Sequence, residues 1–364
     1  MKSKKKRMDF LPKGIREALT QLKLRHKTAG NLSKKISENK ELIKDQNKTD
    51  NPGKMINENK VLIANQNKTD YLNEIIEEKK DEDYKNKYEL LNKIAKGSYG
   101  EVYKAKMKKT GELRAIKFIN KESFKENLRN EYNSNDIEEA FNEFQNRLLN
   151  EIKCMEICSK NNTNINSIKY YEYYNTKESL IIVMELCDTS LQILLNERKN
   201  GFTVQEIRNI LIQLNNTFEI MKNNKIIHRD LKLANILIKY EDNDDKRKFI
   251  VKLTDYGISK QFSNISKYYT HAGTLLTMAP EILKEEEYNS KCDLWSLGII
   301  IYQLFFKEYP FNSNTEFALL KKINLGLLKK INDSKLDNLI RKLLIKEPIE
   351  RYSWDQYLND EFFK

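Results

Sequence analysis

The chain has 364 residues, 39% of them hydrophobic, with only 11 Gly and 5 Pro. That excludes a staple-dependent miniature, a collagen-like chain and a wholly disordered one, and predicts one large bilobal body with an appendage or two domains. The net charge of +12 is uneven: residues 1–80 hold 20 Lys and Arg against 11 Asp and Glu, so most of the basicity belongs to a leader.

The four cysteines, Cys154, Cys158, Cys187 and Cys292, follow no metal-ligand spacing and are sparse enough to point to a reducing, intracellular compartment. No apolar signal region follows the first lysines, and the longest apolar run, residues 297–306, is far shorter than the ~20 residues that span a bilayer. A protein that is neither exported nor transmembrane is expected.

The leader, residues 1–83, opens with Lys4, Lys5, Lys6 and Arg7, and then places Ile15, Ala18, Leu19 and Leu22 at helical spacing among Arg16, Lys23, Arg25 and Lys27. Such a basic amphipathic stretch suits a nuclear address, an acidic-lipid contact, a calmodulin-type target or a solvated arm, and nucleic acid is a further candidate partner for it. Residues 34–50 and 54–70 repeat each other at 12 of 17 positions. Two copies with so few apolar residues build no solenoid core, so a helical or disordered appendage is expected.

From about Tyr84 the texture changes. Residues 88–94, 101–106 and 113–120 read as short strands, 140–159 as a helix, and 169–174 and 180–186 as further strands. Helical patterns then dominate at 191–199, 204–223, 290–306, 317–325 and 335–344. The expected architecture is α+β, with a small sheet-rich lobe over residues 84–187 and a larger helical lobe over 188–364. A loop around residues 127–136 is expected to bulge from the small lobe, and the acidic run at 242–248 to lengthen a solvated hairpin.

Between the first two strands, Gly97 and Gly100 have no Cβ to keep backbone N–H groups away from phosphate oxygens. No GxxxxGK[ST] motif exists, which disfavours a Walker-type NTPase. Lys117 on the third strand points toward the glycine loop, and Glu151 on the following helix is a carboxylate able to hold its amine. The most specific segment is His228-Arg229-Asp230-Leu231-Lys232-Leu233-Ala234-Asn235, followed twenty positions after Asn235 by Asp255-Tyr256-Gly257.

With Ala279-Pro280-Glu281, the Asp293-to-Gly298 run and a late Arg351 in the same order, residues 88–363 resemble the eukaryotic protein kinase family. The resemblance implies a bilobal kinase fold, ATP and Mg2+ as cofactors, and protein substrates. It assigns Asp230 to the substrate hydroxyl, Lys232 to the γ-phosphate, Asn235 and Asp255 to Mg2+, and Lys117, steadied by Glu151, to the α- and β-phosphates. It places the nucleotide among Ala95, Gly97, Gly100, Val102, Ala115 and Leu237. Met184 stands as gatekeeper, the backbones of Glu185 and Cys187 read the adenine edge, and Asp188 meets the ribose. Glu281 is expected to pair with Arg351, Asp293 to brace the catalytic loop, and His228 to pack with Tyr256 and Met155.

Lys232 and the Gly273-Thr274 pair imply Ser/Thr rather than Tyr specificity, while Ala234 and Gln303 stand where arginine-selecting kinases often carry carboxylates. Arg229 before Asp230 implies control by activation-loop phosphorylation, with Thr270 as the acceptor and Arg229, Lys260 and Arg147 as cations around its phosphate. The departures are Ala95 for the first glycine, Tyr256 for the usual Phe, and a long spacing of 34 positions from Lys117 to Glu151. The rival expectation is a pseudokinase scaffold that binds nucleotide or partners without catalysis.

Overall fold

Apolar residues on alternate positions build a sheet with two faces, and residues 180–184 illustrate it: Leu180, Ile182 and Met184 join the main core, while Ile181 and Val183 join a second, smaller one. The computed structural model describes residues 81–96, 100–129, 136–159, 164–242, 245, 248–256 and 275–364. The leader's basic stretch and tandem repeat lie outside the described residues. A short helix α1 (Asp81–Lys87) leads into strands β1 (Tyr88–Lys96), β2 (Glu101–Met107) and β3 (Leu113–Asn120), and β4 (Tyr170–Asn175) and β5 (Ser179–Glu185) complete the sheet. All pairings are antiparallel, in the order β1-β2-β3-β5-β4.

Between β3 and β4 stand two helices, α2 (Lys121–Arg129) and α3 (Ile137–Ser159). The expected bulging loop is thereby corrected: its first three residues, Asn127, Leu128 and Arg129, close α2, and the rest of 130–135 lies outside the described residues. Only Phe124 and Leu128 of α2 are buried, and they suffice because Phe124 stacks on Phe144 of α3 at 4.0 Å between ring centroids. Lys125 adds an ion pair of 2.8 Å to Glu138 and lies over the Phe141 ring. Along α3 the buried residues Phe144, Leu148, Glu151, Ile152, Met155 and Cys158 follow helical spacing, so one stripe faces the sheet and carries Glu151 inward.

The second half is helical. The short β6 (Thr189–Ser190) is followed by α4 (Leu191–Glu197) and α5 (Val204–Asn223), which opens on a reciprocal cap between Thr203 and Glu206. A hairpin of β7 (Ile236–Tyr240) and β8 (Phe249–Leu253) flanks the expected lengthened turn, of which residues 243, 244, 246 and 247 lie outside the described residues. Then come α6 (Pro280–Leu283), α7 (Lys291–Phe306), α8 (Glu316–Leu325), α9 (Ser334–Leu343) and α10 (Trp354–Leu358). The α7 helix is buried on every side. At Gly298 a Cβ would meet Leu344 Cδ2 at 2.8 Å, so a side chain there would push α9 away. Among the described residues no helix is long and apolar enough to cross a membrane.

The expected pair of Glu281 and Arg351 is present and fully buried, with N–O distances of 2.7 and 2.9 Å. The guanidinium also donates to the carbonyls of Ile345, Lys291 and Lys346, which ties α6, the start of α7 and the α9–α10 connection together. Stripping one partner would leave an uncompensated charge in a dry site. We expect Glu281→Ala to lower unfolding free energy by about 3–5 kcal/mol, read as a lower guanidinium midpoint. The double variant Glu281→Leu, Arg351→Met should lose less than Glu281→Ala alone.

Candidate active site

The loop between α5 and β7 is organised by a carboxylate that never reaches solvent. Asp293, on buried α7, accepts the backbone N–H groups of His228 and Arg229 at 2.7 and 2.8 Å. Arg229 takes a left-handed φ of 66°, unfavourable for a residue with a Cβ, and the Asp293 bonds offset that strain. His228 is fully buried; its Nε2 donates to Thr254 O at 3.0 Å and its Nδ1 accepts Asp230 N–H at 3.3 Å. Burial pushes its imidazole below the ordinary value, which suits that neutral tautomer. His228 lies 5.3 Å from the ring of Tyr256, which shares the main core with Met155, as expected of a packed rather than a catalytic histidine.

Asp230 emerges from this frame with its Oδ2 accepting Lys232 Nζ at 2.8 Å and Asn235 Nδ2 at 3.0 Å. The same Asn235 amide donates to Asp230 O at 2.8 Å, and a single 3-10 turn, Leu233–Asn235, holds the spacing. Asn235 O in turn accepts Thr254 N–H, which joins the loop to the segment carrying Asp255. Asp255 also has a left-handed φ, 57°, and receives Lys117 Nζ on Oδ1 at 3.1 Å. Strand β3 thus meets the end of β8 through one ion pair.

The expected steadying of Lys117 by Glu151 takes a different form. Glu151 is inside, 5% exposed, yet the ion pair of Lys117 among the described residues is with Asp255. Burial pushes the Glu151 carboxyl up to about 8 against the pull of Lys117, and the charges of Asp255 and Asp230 add to the rise. Burial thus disfavours the charged form of Glu151, whereas Asp255 receives Lys117 directly.

Among the residues expected to line a nucleotide, Ala115 pairs with Met184 across β3 and β5, and Val102 pairs with Ala95 on one side and Lys117 on the other. Gly100 has a packing reason beside the phosphate one: a Cβ there would lie 1.9 Å from Phe118 O. Gly97 lies outside the described residues. Glu185 donates its N–H to Lys169 O, and Asp188 N–H goes to Ile238 O. The Asp188 carboxylate accepts Tyr240 N–H at 2.8 Å, so it ties down β7 rather than standing wholly available to a ribose. Burial pushes the Cys187 thiol up to about 12, which makes it a poor nucleophile. Leu237 is half-buried on β7 opposite Lys252.

Of the regulatory residues, Arg229 and Arg147 are described; Lys260 and Thr270 are not. Arg229 places its guanidinium 5.8 Å from the Tyr288 ring, and Arg147 pairs with Glu143 on its own helix. One feature escaped the sequence reading. Buried Lys252 on β8 bonds both Glu185 Oε2 at 3.0 Å and Ile165 O at 2.6 Å, while Lys239 takes the other Glu185 oxygen at 2.7 Å. Its signal was a lysine in the middle of the otherwise apolar strand Phe249–Leu253.

Residues 88–363 match the family described as "Protein kinase domain". The chain is 30% identical over 294 residues to calcium-dependent protein kinase 4 of Plasmodium falciparum (isolate 3D7), covering 77% of this chain and 50% of that protein. It is 37% identical over 248 residues to calcium-dependent protein kinase 5 of Plasmodium berghei (strain Anka), covering 68% and 39%. Against cyclin-dependent kinase 9 of Bos taurus it is 30% identical over 327 residues, covering 77% and 81%. The chain therefore spans half or less of the two calcium-dependent relatives, and most of the cyclin-dependent one. With the sheet region, the helical region, the Asp230–Asn235 loop and the Lys117–Asp255 pair in place, this match makes the chain a member of the protein kinase family.

Proposed function

We propose that the chain transfers the γ-phosphoryl group of Mg·ATP to serine and threonine hydroxyls of proteins. The observation that carries this reading is the convergence of Asp230, Lys232 and Asn235 in one hydrogen-bonded loop, with Asp255 brought to Lys117. Asp230 orients the incoming hydroxyl and accepts its proton while the hydroxyl oxygen bonds to phosphorus and the bond to the β–γ bridging oxygen breaks. Lys232 neutralises charge on the moving phosphoryl group, and Lys117 holds the α- and β-phosphates. Adenine is read by the backbones of Glu185 and Cys187 between Val102, Ala115 and Leu237, with Met184 behind.

The donor set fits Mg2+. Asn235 spends its Nδ2 on Asp230, which leaves an amide oxygen, and Asp255 Oδ2 carries no hydrogen bond among the described residues. Both are hard oxygen donors, and among the described residues no group of three or more His, Cys, Asp or Glu forms a cage, as befits an ion that keeps water and phosphate ligands. When bound, Mg2+ neutralises phosphate oxygens.

Lys232 and the Gly273-Thr274 pair support Ser/Thr choice, and Ala234 with buried Gln303 supports a weak demand for upstream arginine. Phosphate on Thr270 would attract Arg229, Lys260 and Arg147 and draw α3 inward. The basic leader supports attraction to acidic surfaces, and ATP chemistry supports work inside the cell. A second reading, a nucleotide-binding scaffold without transfer, is favoured by one observation: the ion pair of Lys117 among the described residues is with Asp255.

Asp230→Asn separates the two readings. Label transfer from ATP should fall by about a hundredfold or more with nucleotide affinity kept, and equal labelling by the variant would remove catalysis by this site. Thr270→Ala should lower activity about tenfold in protein activated by phosphorylation, measured as the initial rate; an unchanged rate assigns control elsewhere.

Glu151→Gln is expected to act in opposite directions on stability and activity. Its folded pKa, about 8, exceeds the ordinary 4.5, so ionisation opposes folding, and the opposition grows as pH rises between those values. The Gln variant should gain little stability at pH 5 and more at pH 8 by urea unfolding, while transfer falls about tenfold.

A further inference from the structure

The outer face of the five-stranded sheet, away from α3, carries a small core of its own. Tyr84 from α1 and Tyr88 from β1 bury themselves there against Ala105, Ile116, Tyr174, Ile181 and Val183. Residue 84 precedes the family match, which starts at 88, so Tyr84 is an addition to the shared domain.

Its ring meets two others edge-on: Phe118 at 5.7 Å and Tyr174 at 6.1 Å. Phe118 meets Tyr103 of β2 edge-on at 5.6 Å, so four rings run in series across β2, β3, α1 and β4. Polar contacts fasten α1 in place. Lys108 donates its N–H to Lys87 O and its Nζ to Lys85 O, while Lys87 and the Tyr174 hydroxyl both bond Glu172.

Phe118 is the residue after Lys117. On a strand the two side chains point to opposite faces, so whatever fixes the Phe118 ring fixes the root of Lys117. The carbonyl of Phe118 is also the atom that a Cβ at Gly100 would strike, and Phe118 pairs with Glu101 at the base of the glycine loop. One residue on β3 thus touches both phosphate-directed features: it is bonded to the lysine and packed against the loop's last glycine.

We propose that Tyr84 is a positioning residue for the nucleotide phosphates, acting through Phe118 on Lys117 and Gly100. The proposal deepens the kinase reading and rests on it. Tyr84 touches no nucleotide itself; removing its ring opens space beneath Phe118, lets β3 shift against β2 and loosens the phosphate grip. The backbones of Glu185 and Cys187, which read the adenine edge, lie at and beyond the end of β5, so the loss falls on the phosphates more than on adenine, although Val102 and Ala115 share β2 and β3.

The test uses the full chain and two probes, the non-hydrolysable analogue adenylyl imidodiphosphate with Mg2+ and adenosine, both titrated by calorimetry. Tyr84→Ala should weaken the triphosphate analogue about tenfold and leave adenosine within about twofold, and Tyr84→Phe, which keeps the ring, should match the parent. Leu339→Ala in α9 supplies a comparable packing loss far from β3 and should leave both affinities unchanged. Hydrogen exchange of residues 113–120 without nucleotide should quicken in Tyr84→Ala only.

Equal weakening of both probes, or equal weakening by Leu339→Ala, would reduce Tyr84 to a structural residue and overturn the proposal. Should Tyr84→Ala not fold, Phe118→Leu decides: weaker analogue binding with adenosine retained supports the path, and parent-like binding of both overturns it. A parent that transfers no phosphate yet binds the analogue in a Tyr84-dependent way sinks the catalytic reading and sustains this one. An active parent indifferent to Tyr84 does the reverse.

Discussion

Two backbone N–H groups aimed at a buried carboxylate set the geometry from which the rest of the site follows. Asp293 sits on a helix whose surroundings are apolar on every side, so its charge has few ways to be satisfied. It takes the N–H groups of His228 and Arg229, and in doing so holds Arg229 in a left-handed conformation that the chain would otherwise leave. Asp230 follows directly, and its orientation is inherited. Because α7 is the most enclosed helix of the second half, the frame supporting Asp230 is also the part least free to move.

The other half of the site is built on weaker terms. Lys117 reaches Asp255 across the junction of two regions, and a group already half-exposed makes that ion pair modest in strength. Glu151 lies inside, where burial pushes its carboxyl up while the charge of Lys117 opposes the rise. On the proposed kinase reading, the helical half would supply a fixed reaction centre and the sheet half an adjustable phosphate grip.

How far the sequence was legible follows from what each residue depends on. The strands β1 to β3, the long helix α3 and the main helices of the second half were readable because their apolar residues repeat at two or at 3.6 over enough length. The loop from His228 to Asn235 was readable because its side chains are tied to one another within eight positions. The helix α2 was not: Phe124 and Leu128 are its only buried residues, and its stability comes from the α3 rings that no local pattern reveals. The ion pair of Lys117 with Asp255 was not legible for a related reason: two carboxylates face that lysine, and the balance between them turns on burial. Lys252 stands alone in an apolar strand, and only the fold puts Glu185 and Ile165 O around it.

The two elements that local pattern missed, α1 and α2, have related positions. Each is short, each is held by aromatic rings, and they serve opposite faces of the same sheet: Tyr84 on the outer face, Phe124 behind α3 on the inner. A five-stranded sheet with a glycine loop at one edge is the softest part of such a domain, because strands alone leave one face without a packing partner. Rings on both faces stiffen β3 and α3 independently, and those two elements carry Lys117 and Glu151. These two short helices thus bear on the half of the site whose geometry is least fixed, whereas the Asp230 loop, already braced by Asp293, gains no comparable support from them.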